Sequence, residues 1–274
     1  MPELPEVETI RRGLEHRLVG RRIARLAVRE TRLRTPLALP SLRRELLGRE
    51  ILALGRRGKY LLLHLSDARV LVIHLGMTGR LVLEDADRPL GPHTHVRLGL
   101  EPEGELRFAD ARRFGMLFVV RQGELERHPR LRGLGPEPLG PQFTAGYLRA
   151  RAHRVRKPVK NFLTDAAVVA GVGNIYATEA LHRAAIHPRT PARRIGPVRW
   201  QRLHACLRLV LEEALGAGGT TLQDYRNADG AAGSFQVRLR VYGREGEPCP
   251  GCGRRVRRIV QAGRSTFYCP GCQH

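Results

Sequence analysis

The chain opens Met1-Pro2-Glu3-Leu4-Pro5-Glu6-Val7-Glu8-Thr9. Pro5 suits the first turn of a helix, where its missing N–H would have had no partner inside the helix anyway. Val7, Ile10, Leu14 and Leu18 recur at helical spacing, which predicts a helix docked by one apolar face. A docked helix holds the residues before it in place. Removal of Met1, usual when a small residue such as proline follows, leaves Pro2 with a free secondary amine. A terminal amine has an unperturbed pKa of ~7.7–8.0, so part of it is neutral and nucleophilic near neutral pH. Such an amine forms Schiff bases with carbonyl carbons, and Glu3 beside it is a ready proton donor or acceptor. The plainer alternative is an ordinary amphipathic helix with a loose end.

Outward from this helix, the apolar period shortens. Arg22–Val28, Glu50–Leu54, Tyr60–Leu65, Val70–Leu75, Gly79–Leu83, Val96–Leu100, Leu106–Ala109 and Met116–Val120 read as strands, with glycines between them and Pro89 and Pro92 in one loop. Strands at this spacing predict an antiparallel sandwich or barrel. Arg56-Arg57-Gly58-Lys59-Tyr60 reads as a basic turn and Asp110-Ala111-Arg112-Arg113-Phe114-Gly115 as a charged one; Met77, taken as a strand residue, would be core.

Residues 124–142 are rich in proline and glycine and read as a linker. Helical periodicity then returns over Phe143–His153, Val159–Thr164, a glycine-rich start at Val168–Gly173 leading to a helix ending near Arg183, and Arg199–Gly216. Backbone N–H groups at such a glycine-led helix start can hold a phosphate. In the last helix Leu203, Leu207, Val210, Leu211 and Leu215 point inward, and Cys206 is expected on that face as an inert core thiol. Gly218–Ser234 is polar and reads as a loop.

The chain has 274 residues, enough for two cored domains, and a formal net charge of +22. That excess points to a polyanionic partner. Nucleic acid fits better than membrane, since no apolar run approaches the ~20 residues that span a bilayer. The glutamates at the start do not form a signal peptide, so a cytoplasmic protein is expected. Only Lys59, Lys157 and Lys160 are lysines among many arginines, and the two cations are not chemically interchangeable.

Cys249-Pro-Gly-Cys252 and Cys269-Pro-Gly-Cys272 are two knuckles separated by sixteen residues, the pattern of a four-cysteine zinc site. Disulfides are the alternative, disfavoured in a cytoplasmic chain. Four thiolates leave no open position for water, so one Zn2+ here would be structural. Between the knuckles lie Arg254, Arg255, Arg257, Arg258 and Arg264, then Phe267 and Tyr268.

Met1 through Thr9 closely resembles the start of the formamidopyrimidine-DNA glycosylases, bacterial enzymes that excise oxidised purines, and the likeness runs from Pro2 to Cys272. The resemblance implies a catalytic amine at Pro2, an acid/base at Glu3, support from Glu6, and Lys59 at the DNA backbone beside the damaged nucleotide. It implies that Met77, Arg112 and Phe114 fill the hole left by a flipped base. His74, Lys160, Asn174, Tyr242 and Arg264 are implied as further DNA contacts. Thr220, Thr221, Leu222, Gln223, Asp224 and Tyr225 would belong to a loop that closes over the purine. Proline is more usual in the family where Ala111 stands, and some members have glutamate at Thr78.

The implied fold is α+β. An antiparallel β-sandwich flanked by helices (1–123) and the linker (124–142) lead to a helix-two-turn-helix domain with the recognition loop (143–235), then a four-cysteine zinc-finger hairpin (236–274). DNA would lie between the two halves. The implied activity is excision of oxidised purines from damaged double-stranded DNA by a monomer, followed by β,δ-elimination at the abasic site. Two other readings stay open: an endonuclease VIII-like enzyme for oxidised pyrimidines, and a zinc-ribbon nucleic-acid-binding protein without catalysis. The loop and the Arg112–Gly115 turn favour the purine enzyme.

Overall fold

The computed structural model describes residues 2–220 and 235–274. They divide into two compact units. One runs to Arg132 and takes in the stretch from Ala217; the other runs from Gly133 to Gly216 and resumes at Phe235.

In the first unit, helix α1 (Leu4–Leu18) has Pro5 in its first turn and buries Leu4, Val7, Ile10, Leu14 and Leu18. It packs into the core of two four-stranded antiparallel sheets. One sheet has the order β1 (Arg22–Val28), β6 (Thr94–Glu101), β7 (Glu105–Ala109), β5 (Arg80–Glu84). The other has the order β2 (Ile51–Arg57), β3 (Tyr60–Leu65), β4 (Arg69–His74), β8 (Met116–Arg121). In β3 and β4 the apolar run is nearly continuous because both faces are covered. Leu61, Leu63, Leu71 and Ile73 face the main core, while Leu62, Val70 and Val72 join Val120 and the partly buried Phe118 and Leu125 on the other side.

Several boundaries depart from the sequence expectation. Strand β2 continues to Arg57, so the turn shrinks to Gly58-Lys59 between the paired Arg57 and Tyr60. Met77 sits on a turn after β4, not on a strand, and is 39 % exposed rather than core. Helix α2 (Leu39–Leu46) has no counterpart in the sequence reading. It buries only Leu42 and Leu46, too short a stripe to stand out after Pro36 and Pro40. Part of the expected linker is also structured, since Gln122–Arg127 forms a 3-10 helix and Leu131 is buried.

The second unit holds α3 (Ala145–Ala152), α4 (Val159–Leu163), α5 (Asn174–Arg183), α6 (Pro197–Gly216) and the hairpin β9 (Arg257–Gln261)–β10 (Arg264–Tyr268). Helix α5 is buried from Ile175 to His182. Phe162 meets Trp200 edge-on at 5.7 Å between centroids, locking α4 to α6. On α6, Leu203, Leu207, Val210 and Leu211 are buried as expected, but Ala214 takes the inward place and Leu215 is only half-buried. Cys206 is also half-buried rather than core, since it lies one position off the Leu203–Leu207 stripe. Burial still pushes its thiol pKa up.

Among the described residues, no helix is long and apolar enough to cross a membrane.

Candidate active site and nucleic-acid interface

Pro2, Glu3 and Glu6 are all buried at the start of α1. A capping box closes this end, with the Glu3 N–H donating to Glu6 Oε2 at 2.7 Å. The other Glu6 oxygen accepts the Thr220 N–H at 2.9 Å. One carboxylate thus ties the N-terminal segment to the stretch that leads into residues 221–234. Ala217–Thr220 belongs with the first unit, whereas the sequence boundaries place it within 143–235.

Glu8 fixes the same helix laterally. It accepts from Arg11, Arg12 and Arg56 at 2.9–3.2 Å. Burial pushes its carboxyl upward, but these three guanidiniums outweigh it and hold the pKa below the usual range. Arg56 lies on β2, so the bridge fastens α1 to the hairpin whose tip carries Lys59.

The sequence-nominated wedge residues come together on two adjoining turns. Met77 and Phe114 are exposed, and the Arg112 guanidinium lies over the Phe114 ring at 4.8 Å. His74 closes β4 beside them; its Nδ1 accepts the Gly76 N–H at 3.0 Å and its ring lies 4.8 Å from Tyr60. Burial, then the charges of Lys59, Arg34 and Arg130, depress the His74 pKa to about 4. The imidazole is therefore neutral near pH 7. Arg34 and Arg130 were not singled out from sequence. Backbone bonding brings the first close, its N–H reaching the Gly115 carbonyl at 3.3 Å, and Arg130 is tied to the Thr35 hydroxyl at 2.7 Å.

In the second unit Asn174 begins α5 behind an N-cap glycine, Gly173. Its amide donates to the Ser265 carbonyl at 2.8 Å and lies 3.4 Å from the Tyr242 hydroxyl. Ser265 follows Arg264 on β10, so Asn174 is bonded next to Arg264 in the chain. Lys160 is 2 % exposed, enclosed in α4.

Glu179 was missed altogether. Fully buried on α5, it accepts the N–H groups of Arg240, Val241 and Tyr242 at 2.9–3.0 Å. Nothing local in the sequence links it to a segment some sixty residues away. Glu179→Ala is expected to lower stability by about 3–5 kcal/mol by stranding three backbone donors. Thermal unfolding of the variant would check this, and an unchanged midpoint would contradict it.

The chain matches three family models in order: the formamidopyrimidine-DNA glycosylase N-terminal domain over residues 1–117, that family's H2TH domain over 134–226, and a zinc finger found in FPG and IleRS over 246–274. It is 49 % identical over 283 residues to a formamidopyrimidine-DNA glycosylase of Cereibacter sphaeroides, with all of both chains covered. The chain belongs to the formamidopyrimidine-DNA glycosylase family. Solved structures agree. The MutM (Fpg) protein of Thermus thermophilus is 46 % identical, with a TM-score of 0.90 over 99 % of this chain and 98 % of that one. A point mutant of the Lactococcus lactis Fpg, in complex with DNA containing Fapy-dG, is 35 % identical, with a TM-score of 0.94 and full coverage of both chains.

The glycosylase family's zinc finger can be tested on its sulfurs. All four Sγ atoms lie within 4.8 Å of one another, with Cys249–Cys272 at 3.8 Å and Cys252–Cys269 at 3.3 Å. A tetrahedral ion with Zn–S bonds of ~2.3 Å needs edges of about 3.8 Å. The Gly251 and Gly271 N–H groups point at the Cys249 and Cys269 sulfurs at 3.4 Å, as thiolates favour. These residues fit one structural zinc, and no disulfide joins them. Of the expected lesion loop, Thr220 is buried where Glu6 holds it. Thr221, Leu222, Gln223, Asp224 and Tyr225 lie outside the described residues.

Proposed function

We propose that this chain is a cytoplasmic base-excision repair enzyme, a monomeric DNA glycosylase and abasic-site lyase that removes oxidised purines such as 8-oxoguanine and formamidopyrimidines from duplex DNA. The observation that carries this reading is the anchored N-terminus, where Pro2 is buried next to Glu3 and Glu6 grips both the Glu3 and Thr220 N–H groups. A nucleophile held in this way has lost its freedom before substrate arrives. The Fapy-dG DNA bound by the Lactococcus lactis relative supports a purine lesion, and the full-length match does not favour the oxidised-pyrimidine alternative.

With Met1 removed, the Pro2 nitrogen attacks C1′, the C1′–N9 bond breaks and the purine leaves with a proton. Glu3 protonates the ring oxygen as the sugar opens, and the nitrogen keeps C1′ as an iminium. The iminium acidifies the C2′ proton; its removal expels the 3′ phosphate, and a second elimination expels the 5′ phosphate. Hydrolysis of the remaining imine frees the amine.

Met77 and Phe114 replace the lost stacking while Arg112 bonds the orphaned base. Lys59, His74, Asn174, Tyr242 and Arg264 hold phosphates, and Lys160 adds charge from beneath the surface. Thr220–Tyr225 covers the extruded purine. Zinc holds the finger hairpin together and takes no part in the chemistry.

Borohydride trapping on an 8-oxoguanine:cytosine duplex tests the reading, with an oxidised-pyrimidine duplex, an undamaged duplex and a Pro2→Gly variant alongside. The expected result is an adduct with the purine lesion that maps to Pro2 and weakens in the variant. Tight binding without any adduct, after confirmed loss of Met1, would refute it.

A further inference from the structure

The turns that carry the wedge residues are joined by one buried carboxylate. Asp110 directly follows β7 and is 1 % exposed. Its Oδ1 accepts the Thr78 hydroxyl at 2.5 Å and the Arg112 N–H at 3.3 Å; its Oδ2 accepts the Gly115 N–H at 2.7 Å. The Thr78 oxygen in turn accepts the Arg112 N–H at 3.1 Å.

The main chain of Asp110 is anchored as well. Its N–H donates to the His93 carbonyl at 3.0 Å and its carbonyl accepts from His95 Nε2 at 2.8 Å. The two turns meet backbone to backbone. A Cβ on Gly76, which has φ +65°, would lie 2.5 Å from the Phe114 carbonyl carbon. One on Gly115 would lie 2.4 Å from Phe108. Arg113 between the wedge residues takes φ 56°, and Glu30 holds its guanidinium at 2.7 Å.

We propose that Asp110 and Thr78 form a clamp that makes Met77, Arg112 and Phe114 one rigid wedge, so that this pair positions residues for base extrusion and not for imine chemistry. The inference rests on the glycosylase reading above. Its physical basis is preorganisation. Exposed side chains on two loose turns would have to be ordered as they enter the duplex, whereas turns already bonded to each other through a buried carboxylate lose little freedom. A hydrogen bond to a charged, buried acceptor is also among the stronger kinds.

The test follows extrusion and imine formation separately in full-length wild type, Thr78→Val, Thr78→Ser and Asp110→Asn. Stopped-flow fluorescence of 2-aminopurine stacked beside 8-oxoguanine in a duplex reports extrusion. Borohydride trapping on a single-stranded abasic oligonucleotide, which has no stacked partner to displace, reports the amine.

Thr78→Val and Asp110→Asn are expected to slow extrusion about tenfold, the scale of one charge-assisted hydrogen bond. Thr78→Ser, which keeps the hydroxyl, should restore it, and single-strand trapping should be the same in all four proteins. Extrusion at the wild-type rate in Thr78→Val would overturn the clamp. An equal fall in single-strand trapping would also overturn it, by marking a general structural loss. Failure of the glycosylase reading itself would look different, since wild type would then form no adduct with the abasic strand.

Discussion

Glu3→Gln is expected to slow excision of 8-oxoguanine by about 10²–10⁴-fold, the usual contribution of a positioned general acid or base. The substitution keeps size and polarity but cannot supply a proton from a carboxyl. The neighbouring carboxylate cannot take over, because Glu6 is occupied by the backbone N–H groups of Glu3 and Thr220. The effect should split by substrate. Excision needs ring opening as the base departs, whereas a preformed abasic site already offers an aldehyde to the Pro2 amine. Single-turnover excision should therefore collapse while borohydride trapping on an abasic duplex persists. Measuring both on the same preparation decides the matter. Excision at the wild-type rate in Glu3→Gln would assign the proton to another group, and loss of trapping in parallel would mean that Glu3 only shapes the terminus.

Removing the metal is the second large effect. The finger hairpin has a small core, with Val241, Val256 and Phe267 packed around Cys249 and Cys269, and among the described residues β9 and β10 pair only with each other. A two-stranded hairpin of this size is marginal without a cross-link, and a structural zinc contributes on the order of 10 kcal/mol to such a module.

Chelation, or Cys252→Ser, should loosen the hairpin and displace Arg264, and with it the Ser265 carbonyl that holds Asn174. If Arg264 and Asn174 hold phosphates as proposed, their loss should weaken duplex binding about 100-fold, at roughly tenfold for each charged hydrogen bond. Metal content by elemental analysis, followed by fluorescence anisotropy on one labelled duplex, gives the comparison. Restored binding on adding zinc back is expected. Unchanged affinity in a protein shown to be metal-free would remove the finger from the DNA interface.

Much of this was legible in the chain because it depends on near neighbours. The Pro5 signal and the Val7, Ile10, Leu14, Leu18 stripe lie within one helix. The Arg22–Val28 strand was found to the residue, although Ile23 and Leu26, the two residues it buries, lie three apart across a bulge rather than in strict alternation. The cysteine knuckles announce their metal because each supplies two ligands three residues apart. Less was legible where the pattern was weak, as in α2 with its two buried leucines, or where one extra residue shifts a face, as with Cys206 and Leu215.

What the sequence by itself determined is thus the chemistry on offer: an amine beside a carboxylate, four thiolates in two pairs, a basic chain and strands of one period. The tertiary structure alone decided which groups hold that chemistry in place. Glu6 reaches Thr220, Arg56 reaches Glu8, Glu179 caps the segment at 240–242, and Asp110 binds two turns together. Each of the first three links joins groups 48 to 214 residues apart, and Asp110 reaches back 32 residues to Thr78. Periodicity carries no information over such distances. A buried carboxylate must find donors somewhere, but which donors it finds is settled only when the strands have paired and the backbone has brought them within reach.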